Sequence, residues 1–229
     1  MAHSDNNSSS KSKKFSIVIS GWPAVGKTTI ASELAKEFGL AHYNGGDILK
    51  MLAAERGYAA GSEAAMTDWW DTPEAKKFME ERKRDPTFDK KVDALLGEIL
   101  RAEGAIITSY TLPWLIGEQE ENIIKIWLKG SRLNRAKRMA NRDGISVQEA
   151  ERIVQVRDEE NIKIYKKLYG FDFGEDLTVF DYSLNTDRLG LDALVEISKL
   201  IVRHHVFPAA AAGSGGKNNN NDDDNDNGA

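Results

Sequence analysis

Short apolar runs alternate along this chain with longer stretches in which apolar residues recur every three or four positions. Residues 15–20, FSIVIS, form the first run, rich in β-branched side chains, which is the pattern of a strand buried on both faces. A helical period follows over 27–38, and a second short strand is expected at 40–43. Gly45-Gly46-Asp47 opens a helix running to about 56, and a further helix is expected over 87–101. Between them, 57–85 reads as a mainly helical insertion carrying Trp69 and Trp70, with Thr72-Pro73 as a helix start inside it. The third, fourth and fifth strands are expected at 105–109, 123–128 and 178–184.

Two helices separate the last two strands. The second begins at Ser146, which makes a capping box with Glu149 and leads into a stripe of Ala150, Ile153, Val154, Ile164, Tyr165 and Leu168. A final helix over 189–206 places Leu194, Ile197, Leu200 and Ile201 at helical spacing, expected to face the core. Strands separated by helices imply an α/β fold: a five-stranded parallel sheet with helices on both faces, three layers in all, and ligands at the carboxyl ends of the strands.

Composition narrows the function classes. With 229 residues, 41% of them hydrophobic, the chain can bury one substantial core. Cysteine is absent, which excludes disulfides and thiolate metal sites, and four scattered histidines do not suggest zinc. No apolar run approaches twenty residues, so no membrane partner is expected and a cytoplasmic location is. The net charge of −5 argues against bulk attraction to nucleic acid. Residues 1–14 and 209–229 are low in apolar content, the latter rich in Asn and Asp, and both are expected to be disordered tails around a domain spanning 15–208. The domain is expected to act as a monomer.

The candidate chemistry begins directly after the first run. Gly21, Trp22, Pro23, Ala24, Val25, Gly26, Lys27 and Thr28 satisfy G-x-x-x-x-G-K-[ST], in the order strand, loop, helix. Gly21 and Gly26 permit backbone turns that aim successive N–H groups into a nest for phosphate oxygens. Lys27 would put a point charge at the β/γ-phosphates, Thr28 would offer a hydroxyl to Mg²⁺, and Thr29 continues the helix whose N-terminus favours an anion. ATP with Mg²⁺ is the expected ligand pair.

From 129 to 142 the chain carries Lys129, Arg132, Arg135, Lys137, Arg138 and Arg142 and no acid. Arg135, Arg138 and Arg142 share one helix face, which points to a polyanion nearby. Arg157 falls beside the apolar stripe of the next helix and is expected to meet either Glu160 or a phosphate.

Taken together, GWPAVGKTT, NGGDILK, IKIWLKGSRLNRAKRMANRDGIS and KKLYGFDF resemble the archaeal-type cytidylate kinases, in the same element order. The resemblance implies a P-loop nucleoside monophosphate kinase fold, with an acceptor-binding region at 47–102 and an Arg-rich lid at 130–170. It implies that Lys27 and Thr28 hold ATP and Mg²⁺, that Asp47 orients metal-bound water or the acceptor, and that Arg138, Arg142 and Arg157 neutralise the transferred phosphoryl group. Lys50 stands where the family usually has arginine, Thr108-Ser109-Tyr110 where it usually reads Glu-Gly-Arg, and Ile164 where a later arginine is usual. Lysine keeps charge without the forked guanidinium, and tyrosine keeps a single hydrogen bond.

The implied reaction is ATP- and Mg²⁺-dependent phosphorylation of a nucleoside monophosphate, CMP or dCMP foremost, with Lys50 and Tyr110 on the acceptor side. Two alternatives stay open at this point. Lys50, Tyr110 and the tryptophan-bearing insertion would suit a kinase for another nucleotide or a small metabolite, and the basic helix would suit a non-enzymatic, nucleotide-gated binding protein.

Overall fold

The structure is a computed structural model, which describes residues 15–58, 69–117, 120 and 122–206. The two expected tails, and residues 59–68 of the insertion, lie outside the described residues. Five parallel strands form one sheet: β1 (Ser16–Gly21), β2 (Ala41–Asn44), β3 (Ala105–Thr108), β4 (Ile123–Lys129) and β5 (Tyr182–Asn185), in the order β2-β3-β1-β4-β5. β1 lies at the centre, in register with β3 (Ile19 opposite Thr108) and β4 (Gly21 opposite Leu128). All six of its residues are buried, as its unbroken apolar run requires of a strand covered on both faces.

Alternation along the strands feeds two cores. Ile17, Ile19, Ile106 and Ile126 point to the layer made by α1 (Lys27–Phe38) and α8 (Leu191–Val206), where they meet Leu34, Leu194 and Val202. Val18 and Ile107 point the other way, to α2 (Gly45–Glu55), α3 (Pro73–Arg84) and α4 (Thr87–Glu103), where Phe78 and Leu96 are fully buried. Trp69 belongs to that core, while Trp70 is half-exposed beside it. A short α5 (Leu112–Leu115), not expected from the pattern, follows β3.

Between β4 and β5, α6 (Arg132–Asp143) and α7 (Val147–Tyr169) form a hairpin with a small core of Ala136, Met139, Ala150 and Val154. Each begins at a serine whose hydroxyl accepts from the third amide onward, Ser131 from Asn134 and Ser146 from Glu149, the latter as the capping box predicts. Among the described residues no helix is long and apolar enough to cross a membrane.

Two expectations on packing are corrected. The fifth strand starts at Tyr182 rather than 178, because 170–181 folds over the sheet end as a loop held by stacked aromatics, Trp114 on Phe171 at 4.7 Å. Leu200 is 64% exposed, because α8 presents Leu194, Val195, Ile201 and Val202 to the sheet and leaves Leu200 outside that stripe.

Candidate active site

The loop between β1 and α1 sits at the carboxyl end of the central strand, with every residue of the nucleotide motif in place. Gly21 has φ +145°, and a Cβ there would stand 2.2 Å from the Leu128 carbonyl oxygen, so β4 approaches too closely for any side chain. Gly26 caps α1 at φ +102°, and Ala24 is the one non-glycine residue with positive φ among the described residues. Such a run of positive-φ turns is the backbone geometry from which anion-binding nests are built, and the start of α1 adds the positive end of the helix dipole. Pro23 and Val25 are buried, while Thr28 and Thr29 lie exposed at the first turn.

Lys27 folds back along the loop. Its Nζ donates to the carbonyls of Gly21 (2.8 Å) and Trp22 (2.9 Å), and the Tyr110 ring lies over it with 4.4 Å to the centroid. Burial, reinforced by the nearby Arg135 guanidinium and opposed by Asp158, pushes the Lys27 ammonium down to about 7. Burial pushes the Tyr110 phenol up, and Arg157, close enough to act on it, opposes that shift. Lys27, Tyr110, Arg135, Arg157 and Asp158 therefore converge on one side of the loop from four different elements.

Arg135 is the cation of α6 that reaches the loop. It is 4% exposed, and its guanidinium meets Asp158 of α7 at two points, 2.9 Å and 2.6 Å, while Nη1 also donates to the Pro23 carbonyl at 3.2 Å. Arg138 is turned elsewhere, donating to the Thr186 hydroxyl (2.9 Å) and carbonyl (2.5 Å) in the loop between β5 and α8. Arg142, at the exposed end of α6, pairs with Asp143, and Arg132 pairs with Glu151. The expectation of unopposed cations awaiting a polyanion is thus corrected for Arg132, Arg135 and Arg142: Glu151 and Asp158 of α7, and Asp143 just past the basic window, supply counter-charges that the window itself does not contain. Glu160, one expected partner of Arg157, pairs with Lys83 of α3 at 2.8 Å.

On the other side of the loop, Asn44 ends β2 and caps α2: its carbonyl accepts from Gly46 N (2.8 Å) and its amide donates to the Thr28 hydroxyl (3.4 Å). Thr108 stands opposite Asn44 in the sheet and shares its face, yet its hydroxyl is buried with no hydrogen-bond partner. Three neutral oxygen-bearing side chains, Thr28, Asn44 and Thr108, are thereby gathered where β2, β3 and α1 meet. Asp47 is one turn away, 64% exposed in its side chain and paired with Lys50 at 3.2 Å. The Lys50 ammonium lies 6.0 Å from the centre of the Trp70 ring, so Asp47 and Lys50 of α2 sit beside the segment that leads into α3.

The exposed Thr28 hydroxyl, with the Asn44 amide beside it, fits a hard cation that retains its waters and takes oxygen ligands. Among the described residues no group of three or more His, Cys, Asp or Glu side chains could form a carboxylate or imidazole cage, so Thr28 is the side chain that would hold such a cation. The motif announced Thr28; Asn44 could have been found as the Asx cap before Gly45-Gly46. Thr108 carried no sequence signal beyond its place at a strand end.

The α3–α4 layer and the α6–α7 hairpin are tied together away from the loop. Arg82 of α3, 6% exposed, meets Asp89 of α4 at 2.9 and 2.6 Å and the Tyr165 hydroxyl of α7 at 3.3 Å. The Tyr169 hydroxyl donates to Asp93 of α4, which also accepts from Thr111 at 2.5 Å.

With this geometry in place, likeness to known proteins can be weighed. A family model described as the cytidylate kinase-like family matches residues 16–188. The cytidylate kinase of Halobacterium salinarum is 34% identical over 182 residues, covering 79% of this chain and 85% of that one. That of Pyrobaculum aerophilum is 36% identical over 182 residues, covering 80% and 89%. Among solved structures, an uncharacterized protein from Eubacterium ventriosum superposes with a TM-score of 0.57 over 82% of this chain and 98% of its own, at 13% identity, a likeness of fold alone.

Proposed function

The chain belongs to the cytidylate kinase-like family, and from that premise we propose that it transfers the γ-phosphoryl group of ATP to a nucleoside monophosphate, CMP or dCMP foremost. The observation that carries the reading is the loop from Gly21 to Thr28, with Lys27 folded over the carbonyls of its first two residues at the central strand's end. Neither a metabolite kinase nor a nucleotide-gated binding protein gains support from the same likenesses.

The mechanism follows from what such a transfer requires. An acceptor phosphate has a second pKa of about 6, so it is already a nucleophile at neutral pH and no general base is needed. Catalysis then reduces to placing donor and acceptor in line and neutralising the charge on the transferred group. Backbone N–H groups of the loop bind the donor phosphates, and Lys27 exchanges its two carbonyl partners for β- and γ-oxygens. A phosphate beside Lys27 restores the charge that burial disfavours, so binding draws a proton onto this amine. Thr28, with the Asn44 amide beside it, would hold Mg²⁺, whose charge would offset that of the donor phosphates. Arg157 reaches the same space from α7, beside Tyr110, and is assigned to the transferred phosphoryl group. Arg138 and Arg142 could serve it only after exchanging Thr186 and Asp143 for phosphate.

Residues 47–102 are assigned to the acceptor and 130–170 to the closing element, with Lys50 and Tyr110 facing the acceptor. The test is ADP release from ATP across a panel of nucleoside monophosphates and phosphorylated or hydroxylated metabolites. CMP or dCMP should give the highest turnover per KM; activity confined to a non-nucleotide acceptor would refute the assignment.

A further inference from the structure

We infer that Asp158 is a positioning residue of the phosphate-donor loop: its two-point ion pair aims the Arg135 guanidinium at the Pro23 carbonyl, fixing the outer shoulder of the loop that carries Lys27. The inference rests on the donor half of the proposed function alone, not on the identity of the acceptor.

Arg135 engages four of its five N–H donors. Nε donates to the Gly130 carbonyl (3.1 Å), Nη1 to Pro23 (3.2 Å) and to Asp158 (2.9 Å), and Nη2 to the second Asp158 oxygen (2.6 Å). A planar guanidinium bound at these points has one orientation, which a lysine ammonium could not reproduce. The side chain also covers the Trp22 ring, 5.6 Å from guanidinium carbon to ring centre. Behind that ring stand Phe173, with centroids 4.9 Å apart, and Gly174, where a Cβ would fall 2.3 Å from Trp22 Cζ2. Trp22 and Pro23, the turn residues between Gly21 and the positive-φ Ala24, are therefore clamped between α6 and the 173–174 turn.

A buried ion pair of this kind contributes little net stability, since desolvation offsets its attraction, and an apolar pair of similar size often does as well. What the pair does specify is position. It is built from α6 and α7, yet its free donor points at a carbonyl 112 residues earlier in the chain. The consequence for Lys27 follows from charge: Arg135 on α6 disfavours its ammonium, Asp158 on α7 favours it, and the Tyr110 ring after β3 covers it.

Three variants test this by direct calorimetric titration with ATP and Mg²⁺, which reads binding whether or not the acceptor is a nucleotide. Asp158→Asn keeps the shape and removes the charge, and should weaken ATP by roughly tenfold, the lower end of what losing a supporting contact costs. Asp158→Glu, which keeps a two-oxygen acceptor for the guanidinium fork, should restore most of that affinity. Arg135→Met with Asp158→Leu removes both charges, so it should melt near the wild-type temperature yet bind ATP as weakly as Asp158→Asn. Wild-type ATP affinity in the double variant would overturn the inference. So would wild-type ATP affinity in a folded Asp158→Asn protein, and if that variant does not fold, the double variant decides alone.

Discussion

The contact that fastens α3 and α4 to the α6–α7 hairpin is the buried set Arg82, Asp89 and Tyr165, and its removal has a calculable effect. Arg82→Met keeps the length and apolar stem of the side chain but strips the Asp89 carboxylate, whose side chain is 7% exposed, of both guanidinium donors. The Tyr165 hydroxyl, which burial holds well above the usual phenol range, also loses the guanidinium that stabilises its charged form. Breaking a buried pair by removing one partner costs about 3–5 kcal/mol, because the remaining charge has neither water nor counter-ion. For a domain of this size each 1 kcal/mol shifts the melting temperature by roughly 2–4 °C, so a fall of about 6–20 °C is expected.

Removing both charges, as in Arg82→Met with Asp89→Leu, should recover most of that loss, since no unpaired ion is left behind. Urea unfolding read by far-ultraviolet circular dichroism and by tryptophan fluorescence would give the cycle. Coincident transitions from the two probes are the check on two-state behaviour. A loss under about 1 kcal/mol for Arg82→Met would refute the reasoning, as that is the range of an exposed pair. So would a double variant as unstable as the sum of the two single ones.

Other predictions follow from single features. Asp93, buried against Thr111 and Tyr169, has its carboxyl raised to about 6, with burial the leading cause. The folded state then holds a proton that the unfolded chain has released, so stability should fall by up to about 3 kcal/mol as pH rises from roughly 4 to 6 and level off above. Asp93→Asn should flatten that part of a urea-midpoint profile, and an unchanged slope would contradict the assignment. Gly21→Ala should prevent folding or lower stability by more than about 3 kcal/mol, since its Cβ would meet the Leu128 carbonyl, whereas Gly26→Ala, with open space around it, should lose only the roughly 1–2 kcal/mol of a strained φ. Equal losses in thermal melts would show that the close approach of β4 does not matter.

What could be read from the chain, and what could not, divides by distance in sequence. The loop from Gly21 to Thr28, the capping box at Ser146 and the buried β1 are local patterns, and each folds as its own residues dictate. The partners of the basic helix were hidden because Arg135 finds Asp158 and Arg138 finds Thr186, 23 and 48 residues away. Composition in the 129–142 window therefore suggested free cations where the fold supplies acids and carbonyls. Leu200 failed for a related reason: periodicity names the apolar positions of a helix, but only the neighbouring layer decides how wide a stripe is covered. Thr108 was invisible for the opposite reason, since an ordinary threonine at a strand end acquires interest only when its buried hydroxyl lacks a partner.

The most direct test of the central claim is phosphoryl transfer from ATP to CMP, followed as CDP formed, by the wild-type protein and Lys27→Ala side by side. The account predicts CDP formation by the wild type and its loss in Lys27→Ala, with unchanged circular dichroism because Lys27 packs along the loop and not in either core. Full activity in Lys27→Ala, or a wild type that binds ATP and phosphorylates no nucleoside monophosphate, would contradict it.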